Sequence, residues 1–332
     1  MTHSPYCCPV THQPLHTHDG KLISACGHSY SLLSSAQGND IPVFVEADKL
    51  SGGDVISRAM YTQDDSEGAY DNFLSWLFAT FAQDERSFRL ALIERLNIES
   101  GHRVLVTGCG LGDDLKYIYP LLGETGELFA QDLSDLMVAA TSRRMASVVP
   151  QGRQNLYLSV SNASALPFPD GYFDSAYHFG GINLFSDIPG AIAEMNRVTK
   201  TGGRVLIGDE GVAPWLKNTE YGKAAIQNNG LWACDAPLEY VPSTAKDVSL
   251  SWTLGNCFYV IDFTVGETLP FIDMDVVHKG TRGGSMRTRY YGQLEGVSPA
   301  VKNRVKDASL EAGVSASQWI EDALRARLDT GE

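Results

Sequence analysis

The chain has 332 residues, 43% hydrophobic and 20% charged, enough for one large domain with appendages or two modest domains around a proper apolar core. No apolar run approaches the length of a bilayer span, and the first residues lack the basic start and apolar stretch of a secretory signal, so a cytoplasmic protein without a membrane partner is expected. The formal net charge of −14 excludes a broadly basic, phosphate-neutralising surface, and six cysteines in a chain this long do not make a disulfide framework.

Taken in chain order, residues 1–50 form a small segment rich in Cys, His, Pro and Gly, with β-prone pieces at Lys21–Ile23 and Ile41–Val45. A helical stretch follows from about Tyr70 to Leu96, in which Phe73, Leu74, Leu77, Phe78 and Phe81 recur at helical spacing and give it a face to bury. From His102 to about Val265 strands and helices alternate. The strands are Arg103–Thr107, Leu128–Gln131, Leu156–Val160, Ser175–Phe179 and Arg204–Gly208; the helices are Asp113–Leu122, Ser134–Ser147 and Ile188–Thr199. Such alternation builds βαβ units and a parallel sheet. Ser249–Leu254 and Cys257–Val265, joined by Gly255-Asn256, read as a hairpin that closes the sheet with an antiparallel pair. Gly280–Gly284 is the best candidate hinge, so the main domain is expected to span 51–285 and a C-terminal segment 286–332.

The strongest local signal is Val104-Leu105-Val106-Thr107-Gly108-Cys109-Gly110-Leu111-Gly112, which runs from a strand directly into a helix. Glycines there allow a sharp turn and let a ligand lie against the backbone without meeting a Cβ. Asp132 ends the next strand, where a carboxylate can accept from both hydroxyls of a ribose. This much fits a dinucleotide or a nucleoside carrying a sulfonium. Three features decide between them. The glycines follow Gly-x-Gly-x-Gly rather than the wider pyrophosphate spacing; Asn162-Ala163-Ser164-Ala165-Leu166-Pro167-Phe168-Pro169-Asp170-Gly171-Tyr172-Phe173-Asp174 lies between two strands; and Glu194–Ile207 leads into the fifth strand.

On these residues the sequence resembles the class I S-adenosylmethionine-dependent methyltransferases, particularly the ubiquinone and menaquinone biosynthesis branch, over roughly Tyr70 to Val265. The resemblance implies an α/β fold, a Rossmann-like seven-stranded methyltransferase sheet with the closing hairpin, and S-adenosyl-L-methionine as cofactor. It also implies that Gly108, Cys109, Gly110 and Gly112 line the methionine part and that Asp132 binds the ribose. Leu133 or Met137 would pack on the adenine, Asn162 and Ala163 would meet its edge, and His178 and Phe179 would face the sulfonium and the acceptor. Tyr70-Asp71 matches a pair that closes over the cofactor in such proteins. One departure stands out: Val106 occupies a position usually acidic, which leaves the cofactor's amino group to another residue, Asp113 or Asp114, unless these two merely favour the start of a helix.

Methyl transfer needs alignment of acceptor and methyl and, for a protonated acceptor, a base. Candidates are His178, at a strand end where such sheets place ligands, and Asp209 and Glu210 after the fifth strand. The alternatives are a buried, hydrogen-bonded histidine and two solvated loop carboxylates. Cys109 reads as a small packing residue, because a reactive thiol needs an exposed electropositive setting. Trp215, Tyr221, Trp232 and Tyr240 either wall an acceptor pocket or fill the core of a helical cap.

The ends carry two weaker resemblances. The N-terminus, with Cys7, Cys8, Cys26, His12 and His28, is similar to a zinc ribbon in which each Cys-x-x-Cys knuckle keeps one cysteine (Thr11 and Ile23 replace the partners), so no metal is expected. The C-terminus, with a strand over Arg287–Leu294, a Ser298-Pro299 helix start, a stop at Gly313 and a second helix over Gln318–Leu328, resembles a ribbon–helix–helix module and implies a homodimer. Between Arg287 and Arg327, seven basic residues against five acidic ones give slight positive charge, which favours a clamp over a nucleic-acid partner. The function expected is methyl transfer to a small-molecule acceptor. The alternatives are a nucleic-acid or protein methyltransferase, a DNA-binding regulator that senses the cofactor, and a metalloid methyltransferase using Cys109, Cys234 and Cys257.

Overall fold

The computed structural model describes residues 5–35, 39–45, 50–60, 66–279, 283–291 and 297–330. The chain divides into two compact units, Met1–Leu269 and Pro270–Glu332. The first unit begins with four short strands, β1 (Leu15–His18), β2 (Lys21–Ser24), β3 (Ser29–Leu33) and β4 (Ile41–Val43), followed by helices α1 (Gly52–Met60), α2 (Ser66–Thr80) and α3 (Glu85–Glu94). The expected single helical stretch from Tyr70 is thus two helices, because the Asp84 side chain accepts from Ser87 N and starts α3 afresh.

Alternation then runs as β5 (Arg103–Thr107), α4 (Leu115–Ile118), β6 (Glu127–Asp132), α5 (Asp135–Met145), β7 (Leu156–Val160), β8 (Phe173–Phe179), α6 (Ile188–Val198), β9 (Thr199–Glu210), α7 (Glu220–Asn228), β10 (Lys246–Thr253) and β11 (Phe258–Thr264). The helix after the glycine loop is shorter than expected, passing into a 3-10 turn at Tyr119–Leu122 that carries Pro120. Seven strands take the order β7-β6-β5-β8-β9-β11-β10, the first five parallel and the last two antiparallel. The chain winds outward from β5 to β7 and then returns to β8, so the topological switch lies between β5 and β8, where open α/β sheets bind ligands. Val104, Leu105, Leu128, Phe129, Ala176, Val205 and Ile261 make the buried middle of this sheet, as runs buried on both faces require.

The N-terminal strands extend the same sheet, giving eleven strands among the described residues. They form an antiparallel meander whose last member joins β7 through one parallel register pair, Val43 with Val160. Three outward carbonyls of β7 are satisfied by this segment: Asn39 Nδ2 donates to Leu156 O (3.0 Å), Tyr6 OH to Leu158 O (3.0 Å) and Phe44 N to Val160 O (2.8 Å). Tyr6, Tyr30, Phe44 and Phe168 pack together beneath it. Two thiols of this segment have polar neighbours. Cys8 Sγ lies 3.1 Å from Tyr30 OH, and Cys26 Sγ donates to Gln13 Oε1 at 3.1 Å and lies 3.7 Å from Thr11 Oγ1.

In the second unit, α8 (Met286–Tyr291), α9 (Pro299–Glu311) and α10 (Ala316–Thr330) are helices. The expected strand over Arg287–Leu294 is therefore corrected: its described part is helical, and residues 292–294 fall outside the described residues, as do residues 280–282 of the expected hinge. The cause is local. Ser285 N donates to Thr288 Oγ1 (2.8 Å), Thr288 N donates to Ser285 Oγ (3.3 Å), and this reciprocal cap starts a helix that the alternating Arg287 and Arg289 do not oppose. Arg287 then pairs with Asp275. The two later helices follow expectation, with Gly313 at φ +67° between them.

Candidate active site

A cavity of about 480 Å³ opens at the C-terminal ends of β5, β6 and β8, within the range of small-molecule sites. Its floor is the glycine loop. Gly108 and Gly110 have φ of +58° and +52°, and a Cβ on Gly108 would come within 3.0 Å of His178 Cε1. Gly112, by contrast, does not line the cavity; its hydrogen faces Thr141 of α5, so the third glycine serves helix packing. Cys109 lines the cavity, yet its thiol is drawn toward Thr141, and burial pushes its pKa up, which disarms it as a nucleophile.

Asp132 is placed by the end of β6. One carboxylate oxygen accepts from Gly110 N and the other from Ser134 N, both at 2.9 Å, which leaves a lone pair on each oxygen facing the cavity. That is a receptor for two adjacent hydroxyls. Leu133, Met137 and Ala163 line the same end. Asn162 lies there too, but its side chain is largely committed: Nδ2 donates to Asp54 Oδ2 at 3.0 Å, and Oδ1 accepts from Ser164 N and Oγ. Asp54, unremarked in the sequence, is delivered by α1, and its second oxygen accepts from Ser186 N. Tyr70 of α2 leans over Gly110, while its neighbour Asp71 is bound by Arg144 of α5 (2.8 and 3.2 Å), so α2 covers the loop.

The three candidate bases come to one side of the cavity with different freedoms. His178 is fully buried. Its Nδ1 lies 2.9 Å from Thr107 O, and a carbonyl only accepts, so Nδ1 carries the proton and Nε2 presents a lone pair that meets no partner among the described residues. Burial lowers its pKa to about 4, which keeps the ring neutral. Asp209 is also buried, with Oδ1 accepting from Gly181 N and Glu210 N and Oδ2 from Asn183 N; it ties down the turn after β8. Burial raises its pKa while those donors oppose the rise. Glu210 accepts from Asn229 Nδ2 at 3.3 Å, and burial together with the charge of Asp209 pushes its carboxyl up to about 7. Neither carboxylate is in solvent.

Around Glu210 the cavity is apolar, lined by Phe73, Leu77, Phe179, Leu231 and Phe258. Phe179 stacks on Phe258, with Phe81 and Trp232 packed behind. Of the four aromatics expected in the 211–240 segment, only Trp232 is buried in this wall. Trp215, Tyr221 and Tyr240 are exposed, and Trp215 rests on Trp252. Phe258 escaped the sequence reading because only the return of β11 beside β9 brings it here, and Asn229 and Leu231 arrive by the turn after α7, which Val212 N holds through Trp232 O. Among the described residues no group of His, Cys, Asp or Glu is arranged to hold a metal ion, Cys109, Cys234 and Cys257 included. No helix is long and apolar enough to cross a membrane.

The residues present fit a nucleoside bearing an amino acid. A diol receptor lies at one end, glycines that a Cβ would block lie in the middle, and an unused buried acceptor on His178 lies beyond. Residues 104–203 match the family model described as "Methyltransferase domain". The chain is 32% identical over 125 residues to the ubiquinone/menaquinone biosynthesis C-methyltransferase UbiE of Burkholderia cenocepacia, covering 37% of this chain and 49% of that one. The same enzyme of Bordetella avium is 34% identical over 122 residues, covering 37% and 46%. This chain thus spans about half the length of the curated relatives it matches. Among solved structures, Haemonchus contortus phosphoethanolamine N-methyltransferase 2 in complex with S-adenosyl-L-methionine aligns with a TM-score of 0.51 at 12% identity, over 76% of this chain and 71% of that one, a likeness of fold. Its sheet order and glycine loop, together with the match over residues 104–203, give the central domain the fold of the class I, S-adenosylmethionine-dependent methyltransferases.

Proposed function

We propose that the protein transfers a methyl group from S-adenosylmethionine to a small-molecule acceptor seated against Phe179 and Phe258, with Glu210 taking the acceptor's proton. The observation that carries this is the meeting, in one cavity, of the glycine loop and Asp132 with an apolar chamber that holds a proton-accepting carboxylate. Gly108, Cys109 and Gly110 would hold the methionine end, Asp132 the ribose, and Leu133, Met137 and Ala163 the adenine, with Tyr70 closing over them. The bound cofactor supplies an electrophilic methyl. The protein aligns it, excludes water and removes charge from the acceptor.

His178, neutral and inaccessible to solvent, would offer its Nε2 lone pair toward the sulfonium side, and Asp209 would hold the 181–183 turn. A carboxylate whose pKa lies near neutrality suits general-base work, and Glu210 is less tied down than Asp209, which accepts three backbone N–H groups. Residues 51–285 would form the catalytic domain with its cap, 1–50 an edge piece without metal, and 286–332 a dimerisation segment of a cytoplasmic homodimer. The DNA-binding alternative loses support from α8, since the strand that would enter a groove is a helix.

Isothermal titration with S-adenosylmethionine and with NAD tests the cofactor, and transfer of labelled methyl into a metabolite extract tests the acceptor class. Binding of the first only, with label entering small molecules, is expected. Binding of NAD alone, or label entering RNA or protein, would overturn the reading.

A further inference from the structure

The cavity is short of positive charge where the acceptor would sit. Among the described residues six carboxylates line it, those of Asp54, Asp113, Asp114, Asp132, Asp209 and Glu210, against one guanidinium, that of Arg89. Arg89 is already engaged: its Nε donates to Glu85 (2.7 Å) and its Nη1 to Asp114 (2.9 Å).

Asp209 and Glu210 are consecutive at the end of β9, both are buried, and among the described residues neither has a lysine or arginine as ion partner. Lys217, which shares Cys234 as a neighbour with them, is turned to Asp235 (2.6 Å) and to the carbonyl of Ala233 (2.7 Å). The other titratable groups that face the pair, Cys234 and Tyr259, are held neutral, because burial and these same carboxylates raise both. Two buried carboxylates side by side cannot both ionise cheaply until a cation joins them.

A second observation points the same way. Nε2 of the fully buried His178 lines this cavity and accepts from no group among the described residues. Glu210 and this nitrogen both call for a donor. Between them the wall is the stacked pair Phe179 and Phe258, whose faces attract a cation and repel an anion.

Charge then separates the classes of acceptor. Taking a proton from a neutral phenol or carbon acid keeps two negative charges in an apolar chamber, one merely moved from Glu210 to the acceptor. Taking it from an ammonium removes a charge from each partner, which a medium of low dielectric favours.

We infer that the methyl acceptor is a primary or secondary amine with an apolar body and no anionic group, drawn in as its ammonium to Glu210, His178 and the Phe179–Phe258 wall. This rests on the methyl-transfer reading and narrows its acceptor to one class. Glu210 takes one proton from the ammonium, and a remaining N–H donates to His178 Nε2. The nitrogen lone pair forms the N–C bond as the C–S bond breaks, and the electron pair of that bond stays on sulfur. The product leaves as an N-methyl ammonium, and Glu210 returns its proton to solvent. A phosphate or carboxylate on the acceptor would find no uncommitted cation among the residues lining the cavity, so amino acids and phosphoesters are excluded.

The test is transfer of labelled methyl from S-adenosylmethionine into a metabolite extract by the full chain, followed by partition into toluene. An N-methyl amine with an apolar body enters toluene from alkali and stays in water in acid. Ethers and C-methylated rings enter from both, and acids enter from acid alone. The expected result is label extracted from alkali only. Label extracted from acid, or left in water at both extremes, would overturn the amine while leaving methyl transfer standing. Glu210→Gln should lower labelling about 100-fold at neutral pH, the scale of a lost general base. That loss should shrink about tenfold per pH unit as free amine, which needs no base, becomes available. No loss, or a loss of the same size about two pH units higher, would overturn Glu210 as the partner of an ammonium. No label in any small molecule would remove the small-molecule methyl-transfer reading and the amine with it.

Discussion

Replacing Glu210 by glutamine should make the protein more stable and less active at once. The amide has the same shape, keeps an acceptor oxygen for Asn229, and removes only the charge. In the fold the carboxyl is held at about 7 by burial and by Asp209, against roughly 4.3 for an unfolded glutamate. A raised folded pKa contributes stability that is complete below the unfolded value and is lost as pH rises through the folded one. At about 1.36 kcal/mol per pKa unit, the wild type therefore gives up about 3 kcal/mol between pH 4 and pH 8, and the variant does not. The unit that holds Glu210 is Met1–Leu269. For a domain of roughly this size each kcal/mol moves Tm by about 2–4 °C, so Glu210→Gln should melt about 6–12 °C above wild type at pH 8 and within a degree or two at pH 4.5. Differential scanning calorimetry at the two pH values reads this directly. A variant no more stable than wild type at pH 8 would show that Glu210 is ionised at no cost, and the case for it as the proton acceptor would fall.

His178 titrates the other way. Its folded pKa of about 4 lies below the unfolded value near 6.5, so the stability it contributes is complete above that value and is lost as pH falls toward 4. Nitrogen-15 spectra should show a neutral ring protonated on Nδ1 at pH 6, and titration near 6.5 would contradict the buried setting described for it. Gly108→Ala adds a Cβ in a left-handed backbone conformation within 3.0 Å of that ring. S-adenosylhomocysteine affinity should fall about 5–30-fold, on the order of the 1–2 kcal/mol that such a conformation costs a non-glycine residue. An alanine variant that binds as wild type does would mean the loop does not touch the cofactor.

What was legible in the sequence is what is local. The strands at Arg103–Thr107 and Leu156–Val160 appear where their apolar runs put them, and the loop between β5 and α4 and the carboxylate of Asp132 follow from chain order alone. The hairpin, too, is announced by Gly255-Asn256. The rest depended on distance. Asp54 reaches Asn162 across 108 positions and Arg89 reaches Asp114 across 25, and neither pairing has a periodicity to betray it. Arg89 did leave one trace, a cation on the apolar face of a helix. The alternation at Arg287–Tyr291 misled because alternation of polar and aromatic residues does not distinguish a strand from one short helical turn capped by Ser285 and Thr288.

The N-terminal strands have a consequence for the edge of the sheet. A class I sheet without them would end at β7, whose outer carbonyls at Leu156, Leu158 and Val160 would form a template on which another chain could grow. Those groups are taken by Asn39, Tyr6 and Phe44, and the margin of the sheet moves out to β1, a four-residue strand with His16 and His18 on it. The segment acts as a hem, turning a long sticky border into a short polar one. Its partner is the rest of the sheet, and removing it should cost the protein its solitude before it costs it its cofactor.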